Sequence, residues 1–312
     1  PADPIVVYDP SAPPAIPAQG VLAKWVKTNR LSWNTSSFKS YIYNGMAFRI
    51  KFPKSYQHGV ADGKKYPMII FFHGIGERGT VYDNEYQLYH GGEVHKNAVD
   101  NGTLDGFLLY PQSPTPYFSN YNFDDIVSLI NNHFVPELKV DPMRITVNGL
   151  SAGGSAVWDF TNRFPKVVAA AAPISAAATP LKNFIPTYKW TPIWWFQGGA
   201  DTNPAPGIAQ DVYNAASAAG ANMKLTIYPG QGHGVWYLAW GESDYFPFML
   251  RAHKANPWPL FGRTEFCPGD AINVQLGLTA GFDGYEWRKN GTTITGATSN
   301  TLTVTSDRKH VG

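Results

Sequence analysis

The sequence predicts an α/β fold, in which a mostly parallel β-sheet carries helices on both faces. Short, largely apolar runs that end in Gly, Pro or Asn alternate along the chain with segments of helical spacing. The runs are "YPMIIFFHG", "GFLLYPQ", "RITVNG", "VVAAAAPIS", "TPIWWFQGG" and "MKLTIYPG", and the helical segments span residues 123–134, 155–164 and 208–219. Strands connected by helices form parallel sheets, whose functional loops lie at the carboxyl ends of the strands.

Three regions lie outside this alternation. Residues 1–20 contain six prolines, a spacing that excludes a helix and favours an extended arm laid over the surface. The segment "YIYNGMAFRIKFP" alternates apolar and polar residues around an Asn-Gly pair, which indicates a β-hairpin. Towards the end, the chain changes to short, Thr-rich, alternating segments separated by Gly turns. We therefore expect a main domain over residues 1–262. Residues 263–312 would be the first part of an antiparallel β-sandwich, whose usual size is ~100 residues.

Composition limits the classes of partner. Lys and Arg total 25 and Asp and Glu total 23, which gives a net charge of +2. Without a basic run, nucleic acid is not an expected partner, because phosphate binding needs a concentrated positive field. No apolar stretch approaches the ~20 residues needed to span a bilayer, so no membrane span is expected. The single cysteine, Cys267, excludes an intrachain disulfide and a thiolate metal site.

The clearest chemical motif is Gly149-Leu150-Ser151-Ala152-Gly153, which follows the strand-like "RITVN" and precedes a helical segment. In a strand–turn–helix context, Gly-x-Ser-x-Gly describes a sharp elbow that lifts the serine hydroxyl clear of the sheet. Side chains at the two outer glycines would collide with neighbouring backbone in so tight a turn. Ser151 is therefore the predicted nucleophile, and the predicted fold is of the α/β-hydrolase type.

A serine hydroxyl needs a base to take its proton, and the base needs a carboxylate to orient it. In this fold the acid and then the histidine follow the serine, each in the loop after a later strand. Asp201 ends the strand-like "TPIWWFQGGAD", and His233 ends the next one, "MKLTIYPGQGH". We predict that these two residues complete a catalytic triad with Ser151. Weaker candidates for the acid are Asp211, Glu242 and Asp244.

The oxyanion that forms during acyl transfer needs backbone N–H donors. Ala152, directly after the nucleophile, would supply one of them. The other would come from the loop after "MIIFFHG", where Ile75 is the first choice and Gly76 the alternative. His73, at the end of the same strand, is expected to order this loop rather than to react.

Two other patterns do not point to a function. His90, Glu93 and His95 in "HGGEVH" lack the His-x-x-x-His spacing of a helical metal site, so no metal is expected. The glycine pair in "HGIGERG" lacks the acidic partner of a dinucleotide-binding fingerprint.

Five blocks between Lys51 and Trp240 resemble a known family in order and content. They are "KYPMIIFFHGIGERG", "FLLYPQ", "ITVNGLSAGGSAVWDF", "FQGGADTNPAP" and "YPGQGHGVW". These blocks are similar to the esterases around the polyhydroxybutyrate depolymerases, which include the feruloyl and acetylxylan esterases of carbohydrate esterase family one. The resemblance implies hydrolysis of carboxylic esters without a metal or organic cofactor, and its triad falls on Ser151, Asp201 and His233. It also implies an acylated plant polysaccharide or oligosaccharide as substrate, with feruloyl or acetyl as the acyl group.

The tail from Phe266 resembles the immunoglobulin-like modules of secreted polysaccharide-degrading enzymes from gut and soil bacteria. Cys267 and Trp287 fit the first cysteine and the core tryptophan of such a module, although no second cysteine follows. We therefore expect an accessory immunoglobulin-like module. We also expect a secreted, cell-surface or periplasmic bacterial protein, with a signal peptide that is not present in this sequence, which begins at Pro1.

Aromatic residues that follow His233 are candidates for binding the acyl or sugar part of a substrate. They are Trp236, Tyr237 and Trp240, and Gln112 at the end of "FLLYPQ" is a further candidate. Trp236 and Trp240 share one face if their segment is helical, and either could instead pack in the core. Two other functions stay open: a serine peptidase of the prolyl-peptidase type, and a catalytically idle hydrolase scaffold that binds sugar.

Overall fold

The computed structural model describes residues 6–8, 30–261, 267 and 270–307. The central sheet is built from β1 (Val6–Tyr8), β2 (Lys39–Tyr43), β3 (Met46–Lys51), β4 (Tyr66–Phe72), β5 (Phe107–Pro111), β6 (Val140–Leu150), β7 (Val168–Ile174), β8 (Ile193–Gly198) and β9 (Met223–Tyr228). In space the strands follow the order β1-β2-β3-β5-β4-β6-β7-β8-β9. The pairs from β1 to β5 are antiparallel, and all pairs from β5 to β9 are parallel. The prediction of a mostly parallel sheet is confirmed.

Helices cover both faces of this sheet. They are α1 (Gly92–Asp100), α2 (Asn120–Leu129), α3 (Val135–Leu138), α4 (Ala152–Arg163), α5 (Ile185–Tyr188), α6 (Pro206–Ala218), α7 (Trp236–Gly241) and α8 (Tyr245–Arg251). The three predicted helical segments correspond to α2 with the π-helical turn that follows it, to α4 and to α6. This arrangement of a mostly parallel sheet between helical layers is the α/β-hydrolase fold.

The buried strands explain why the sheet has a core on each side. Along β4, Met68, Ile70 and Phe72 pack with α2, α4, α5 and α6 on one face. Ile69 and Phe71 pack on the other face, with α1, α7 and α8. Successive side chains of a strand point to opposite faces, so a strand covered on both sides is apolar throughout. The continuous apolar runs of the sequence therefore reflect burial between two helical layers.

The predicted β-hairpin is also present. β2 and β3 pair in an antiparallel register, with Tyr43 opposite Met46. Asn44 and Gly45 between them have φ of +47° and +79°, the positive values that a tight type I′ turn requires. At the N-terminus, β1 pairs with β2, and the other residues of the predicted arm 1–20 lie outside the described part of the chain.

The C-terminal region forms separate antiparallel strands, as the alternation of its sequence indicates. β10 (Trp258–Phe261), β11 (Ala271–Gly277) and β14 (Thr301–Asp307) make a three-stranded sheet, and β12 (Arg288–Lys289) and β13 (Thr292–Thr293) make a hairpin. Trp287 is buried here, and its Nε1 donates to the carbonyl oxygen of Ser299 at 2.8 Å. β10 joins this sheet although the predicted domain boundary lay after residue 262. That the region belongs to an immunoglobulin-like module stays a prediction.

Candidate active site

Ser151 lies at the turn between β6 and α4, at the carboxyl edge of the parallel strands. Its backbone has φ +55° and ψ −121°, a conformation that residues with a side chain seldom adopt. A carbon atom added at Gly149 would lie 2.6 Å from the carbonyl oxygen of Gly153, and one added at Gly153 would lie 2.0 Å from that of Phe72. At Gly149 and Gly153 the elbow passes too close to neighbouring backbone to accept a side chain. This confirms the predicted reason for both glycines.

His233 connects Ser151 to Asp201 through two hydrogen bonds. Its Nε2 lies 2.9 Å from Ser151 Oγ, and its Nδ1 lies 2.8 Å from Asp201 Oδ2. Because a carboxylate only accepts hydrogen bonds, Nδ1 carries the ring proton and Nε2 is free to accept the serine proton. The His233 side chain is 38% exposed and that of Asp201 is 2% exposed, so the imidazole is accessible from solvent and the carboxylate is shielded. The structure brings the three predicted residues together.

Further hydrogen bonds fix the acid and the base. The carboxylate of Asp201 accepts from the backbone N–H of Asn203 at 2.9 Å and from Gln197 Nε2 at 3.0 Å. The carbonyl oxygen of His233 accepts from Ser175 Oγ at 2.6 Å. The donors from Asn203 and Gln197 satisfy and orient a buried carboxylate that would otherwise be costly, and the bond from Ser175 fixes the backbone of His233.

The weaker candidates for the acid have other partners. Asp211 pairs with Lys182, Glu242 accepts from the hydroxyl of Tyr228, and Asp244 makes two hydrogen bonds to Arg251. Over the ranges that the structure describes, Asp201 is the carboxylate that bonds to the His233 ring.

His73 fixes the loop that carries the predicted oxyanion donors. Its Nε2 accepts from the backbone N–H of Ser113 at 3.0 Å, so the proton lies on Nδ1, which donates to the carbonyl oxygen of Gly74 at 2.7 Å. Burial lowers the pKa of His73 to about 4, which keeps the ring neutral near pH 7. The C=O and N–H groups of a trans peptide point in opposite directions, so the N–H of Ile75 points away from the His73 ring.

The predicted oxyanion donors both stand at the start of a helical turn. Ala152 is the first residue of α4, and Ile75 is the first residue of a 3₁₀ turn, Ile75–Glu77. The first N–H groups of such turns have no partner within the turn and are available to another acceptor. Their use as an oxyanion hole, with Ile75 or Gly76 as the second donor, stays a prediction.

The four predicted substrate contacts differ in their surroundings. Trp236 is half-buried and lies 6.0 Å from the His233 ring, and Tyr237 beside it is 56% exposed. Trp240 is 4% exposed and packs against Phe71, a position that favours the core alternative.

Gln112 is the fourth predicted contact. Its side chain is buried, and its Nε2 donates to the carbonyl oxygen of Asp83 at 3.1 Å. It also lies at the wall of a cavity of about 360 Å³ that is bordered by β3 and by the start of α2. A direct contact between any of the four residues and a substrate stays a prediction.

Four residues that contribute to this edge of the sheet are not among the predicted site residues. They are Ser175, Gln197, Glu77 and His90. Ser175 and Gln197 are polar residues at the ends of β7 and β8, next to the triad loops, and that placement was the signal available. Glu77 and His90 meet only through the folding of the loops before α1, which no sequence pattern indicates.

Within the described ranges, no group of three His, Cys, Asp or Glu side chains is arranged to hold a metal ion, and no helix is long and apolar enough to cross a membrane. Cys267 is exposed and its thiol is free.

Comparisons with known proteins agree with the fold. The model of the dienelactone hydrolase family matches residues 123–239, a segment that includes Ser151, Asp201 and His233. The comparison with curated proteins gave no match.

Several solved structures have a similar fold. A thermostable esterase has 23% identity and a TM-score of 0.61 over 70% of this chain and 63% of that one. The chain thus spans less than two thirds of that esterase. A serine-to-alanine variant of the feruloyl esterase module from Clostridium thermocellum, complexed with sinapinate, has 17% identity and a TM-score of 0.51 over 69% and 87%. An acylaminoacyl peptidase from Pyrococcus horikoshii has 13% identity and a TM-score of 0.50 over 68% and 40%. At these identities the likeness establishes the α/β-hydrolase fold.

Proposed function

We propose that this protein is a serine carboxylic-ester hydrolase in which Ser151 is the nucleophile, His233 the general base and Asp201 the orienting acid. The observation that carries the proposal is the continuous hydrogen-bonded row from Asp201 through His233 to Ser151 Oγ at a strained elbow. The match of the dienelactone hydrolase family across all three residues supports this class of reaction, and so does the fold shared with esterases.

The first half of the reaction forms an acyl-enzyme. Ser151 Oγ attacks the ester carbonyl carbon while His233 Nε2 takes the hydroxyl proton, and Asp201 stabilises the charged ring through Nδ1–H. The carbonyl oxygen, on which negative charge develops, accepts hydrogen bonds from the N–H groups of Ala152 and Ile75. His233 then gives its proton to the departing alcohol, and the acyl group stays on Ser151.

The second half returns the enzyme to its starting state. A water molecule takes the place of the alcohol, His233 removes one of its protons, and the resulting hydroxide attacks the acyl carbon. The same N–H groups bind the second oxyanion, and His233 returns the proton to Ser151 Oγ as the acid leaves. Each step uses only groups of this chain, the ester and water.

The substrate that we propose is an acylated plant polysaccharide or oligosaccharide, with a feruloyl or acetyl group. The feruloyl esterase module that shares the fold, and that was solved with sinapinate, supports an aromatic acid as the acyl part. Tyr237, exposed beside the half-buried Trp236 near His233, is suited to contact an aromatic ring or a sugar. A secreted or cell-surface location, an accessory C-terminal module, and a domain boundary near residue 262 belong to the same proposal.

Hydrolysis of p-nitrophenyl acetate and of methyl ferulate by the full chain tests this function. Ser151→Ala should lower turnover by ~10⁴–10⁶ without changing the fold, because the nucleophile is lost. Ser155→Ala, one helical turn further along α4, is the matched control and should keep the wild-type rate. A Ser151→Ala variant that keeps more than about a tenth of the rate would exclude this nucleophile.

A second candidate function is peptide hydrolysis, favoured by the fold shared with an acylaminoacyl peptidase. Acyl-peptide p-nitroanilides assayed beside the esters separate the two, since a peptidase would turn over the anilides at a rate comparable with the esters. A scaffold that only binds sugar would hydrolyse neither class.

A further inference from the structure

The carboxylate of Glu77 lies inside the loop that carries the predicted oxyanion donors. This loop follows β4 and runs through Gly74, Ile75 and Gly76 to Glu77, the last three of which form a 3₁₀ turn. Glu77 is 6% exposed, an environment in which a carboxylate is stable only with hydrogen-bond donors or a charged partner. The donors come from the backbone of the loop itself.

The backbone N–H groups of Gly74 and Glu77 lie close enough to the Glu77 carboxylate to stabilise its charge, and the Glu77 N–H also donates to the carbonyl oxygen of Gly74 at 3.2 Å. Burial raises the pKa of Glu77, and the two N–H groups act in the opposite direction because they stabilise the charged form. A glutamate at the third position of a helical turn that reaches back to the N–H before the turn is one half of a capping box. Two of the four N–H groups of the loop are thus taken, and the other two belong to Ile75 and Gly76.

The loop is packed closely enough for this carboxylate to determine its shape. A carbon atom added at Gly74 would lie 2.9 Å from Glu77 Oε2 and 2.7 Å from the side chain of Leu150, the residue before the nucleophile. On the other side of the turn, Arg78 Nη1 donates to the carbonyl oxygen of Ile75 at 2.8 Å. The peptide groups on both sides of Ile75 therefore have fixed orientations.

His90 connects this carboxylate to the helix that follows the catalytic base. Its Nε2 lies 3.5 Å from Glu77 Oε1, and its Nδ1 lies 3.2 Å from the hydroxyl of Tyr237 on α7. Burial lowers the pKa of His90, which favours the neutral ring, and in the neutral ring one nitrogen can accept a hydrogen bond while the other carries the proton. The His90 ring also lies 5.0 Å from Trp236, which lies against His233.

We propose that Glu77 is a positioning residue for ester hydrolysis: its carboxylate holds the loop so that the N–H group of Ile75, or in its place that of Gly76, faces the oxyanion, and His90 connects this loop to α7. The inference rests on the proposed hydrolysis at Ser151. It predicts an effect on the stabilisation of the transition state, and little effect on the binding of the substrate.

The test compares Glu77→Ala and Glu77→Gln in steady-state hydrolysis of p-nitrophenyl acetate. Glu77→Ala should lower kcat by at least ~10-fold, toward the ~10²–10³ that the loss of one oxyanion donor costs, while KM changes less than about threefold. Glu77→Gln keeps an oxygen that can accept the Gly74 N–H, so it should restore most of the rate. Glu93→Ala, which removes a nearby exposed carboxylate on α1, is the matched control and should match wild type.

A second readout reports the oxyanion site directly. Phenylboronic acid forms a tetrahedral adduct with a nucleophilic serine, so its inhibition constant should rise in Glu77→Ala by about the factor by which kcat falls. Circular dichroism and the thermal midpoint show whether each variant is folded. If Glu77→Ala does not fold, Glu77→Asp takes its place, because the shorter side chain cannot reach the Gly74 N–H and His90 together.

Two outcomes overturn the inference while leaving the proposed function intact. One is a folded Glu77→Ala or Glu77→Asp variant with wild-type kcat and wild-type boronate inhibition. The other is an equal loss of kcat in Glu77→Ala and Glu93→Ala, which would indicate a general effect of charge. A wild-type protein that hydrolyses no ester, or a Ser151→Ala variant as active as wild type, would instead overturn the proposed function.

Discussion

Replacing His95 with glutamine should make the stability of the folded protein less sensitive to acid. His95 lies on α1 and is fully buried among aromatic rings, with its Nδ1–H donating to the carbonyl oxygen of Gly91 at 2.7 Å. The rings with centroids 5.4–6.2 Å away are those of Phe71, Tyr110, Trp240, Tyr245 and Phe246. No acceptor in the described part of the chain contacts Nε2, so a second ring proton would be a buried donor without a partner.

Burial lowers the pKa of His95 to about 4, compared with ~6.5 for an unfolded chain. Between these values the unfolded state binds a proton that the folded state does not, so stability falls as the pH falls. The contribution of the neutral His95 ring to the stability of the folded protein is present in full above about pH 6.5 and decreases toward pH 4. Each pH unit in this range changes the free energy of unfolding by ~1.4 kcal/mol. Lowering the pH from 6.5 to 5 therefore reduces the stability of the wild-type protein by about 2 kcal/mol through His95.

Urea unfolding at pH 7.5 and at pH 5, followed by tryptophan fluorescence, measures this effect. The amide of His95→Gln can still donate to Gly91 and does not titrate, so the stability advantage of wild type over the variant should shrink by about 2 kcal/mol at pH 5. Comparing the variant with wild type cancels the contributions of carboxylates. His58→Gln, at an exposed histidine, is the control and should leave the pH dependence unchanged. A change of less than about 0.5 kcal/mol for His95→Gln would refute the reasoning.

Three further predictions concern the catalytic elements. Asp201→Asn should lower kcat for p-nitrophenyl acetate by ~10⁴, because an amide cannot hold the required tautomer of the histidine, and an undiminished kcat would remove Asp201 from the triad. Gly153→Ala should lower the thermal midpoint by roughly 5–10 °C or abolish soluble protein, since its Cβ would lie 2.0 Å from a carbonyl oxygen of Phe72. Gly207→Ala, where the added carbon meets nothing within 4 Å, should fold normally, and equal effects at both glycines would contradict the steric explanation. Trp236→Ala should reduce kcat/KM up to about 10-fold more for methyl ferulate than for p-nitrophenyl acetate, and equal losses would indicate packing alone.

That Ser151, Asp201 and His233 meet could be predicted because each of them follows a buried strand. Ser151, Asp201 and His233 follow β6, β8 and β9, and parallel strands bring their carboxyl ends to one edge of the sheet. Periodicity locates the strands, and glycines mark the sharp turns after them. The chain order of serine, acid and histidine that the fold requires then predicts which of these side chains contact each other.

Contacts between loops could not be predicted in this way. Glu77 and His90 meet because the chain between β4 and α1 folds back on itself, and neither residue belongs to a periodic segment. Similarly, a helical period puts Trp236 and Trp240 on one face of α7, but it does not tell which of the two the next layer covers. Phe71 of β4 covers Trp240, whereas Trp236 lies at the edge of that layer, beside His233.

Composition alone also does not show which sheet a strand joins. The change to Thr-rich segments predicts a domain boundary after residue 262, and Trp258–Phe261, just before it, pairs with Ala271–Gly277 of the C-terminal sheet. Composition describes the residues of a strand, whereas membership of a sheet depends on its hydrogen-bonding partner. That partner lies beyond a connecting segment, and its register with β10 is not encoded by either segment separately.

The histidines of this molecule show why residue type alone does not assign a role. His73 and His95 are both buried, and both donate from Nδ1 to a backbone carbonyl, of Gly74 and Gly91 respectively. His233 also has its proton on Nδ1, but its acceptor is the carboxylate of Asp201 and its ring is partly exposed. A buried imidazole that donates to a backbone carbonyl, with no acceptor for a second proton, stays neutral and stabilises the backbone segment to which it is bonded. With a carboxylate on one side and a serine hydroxyl on the other, the same ring can take up a proton and release it, as the proposed ester hydrolysis requires.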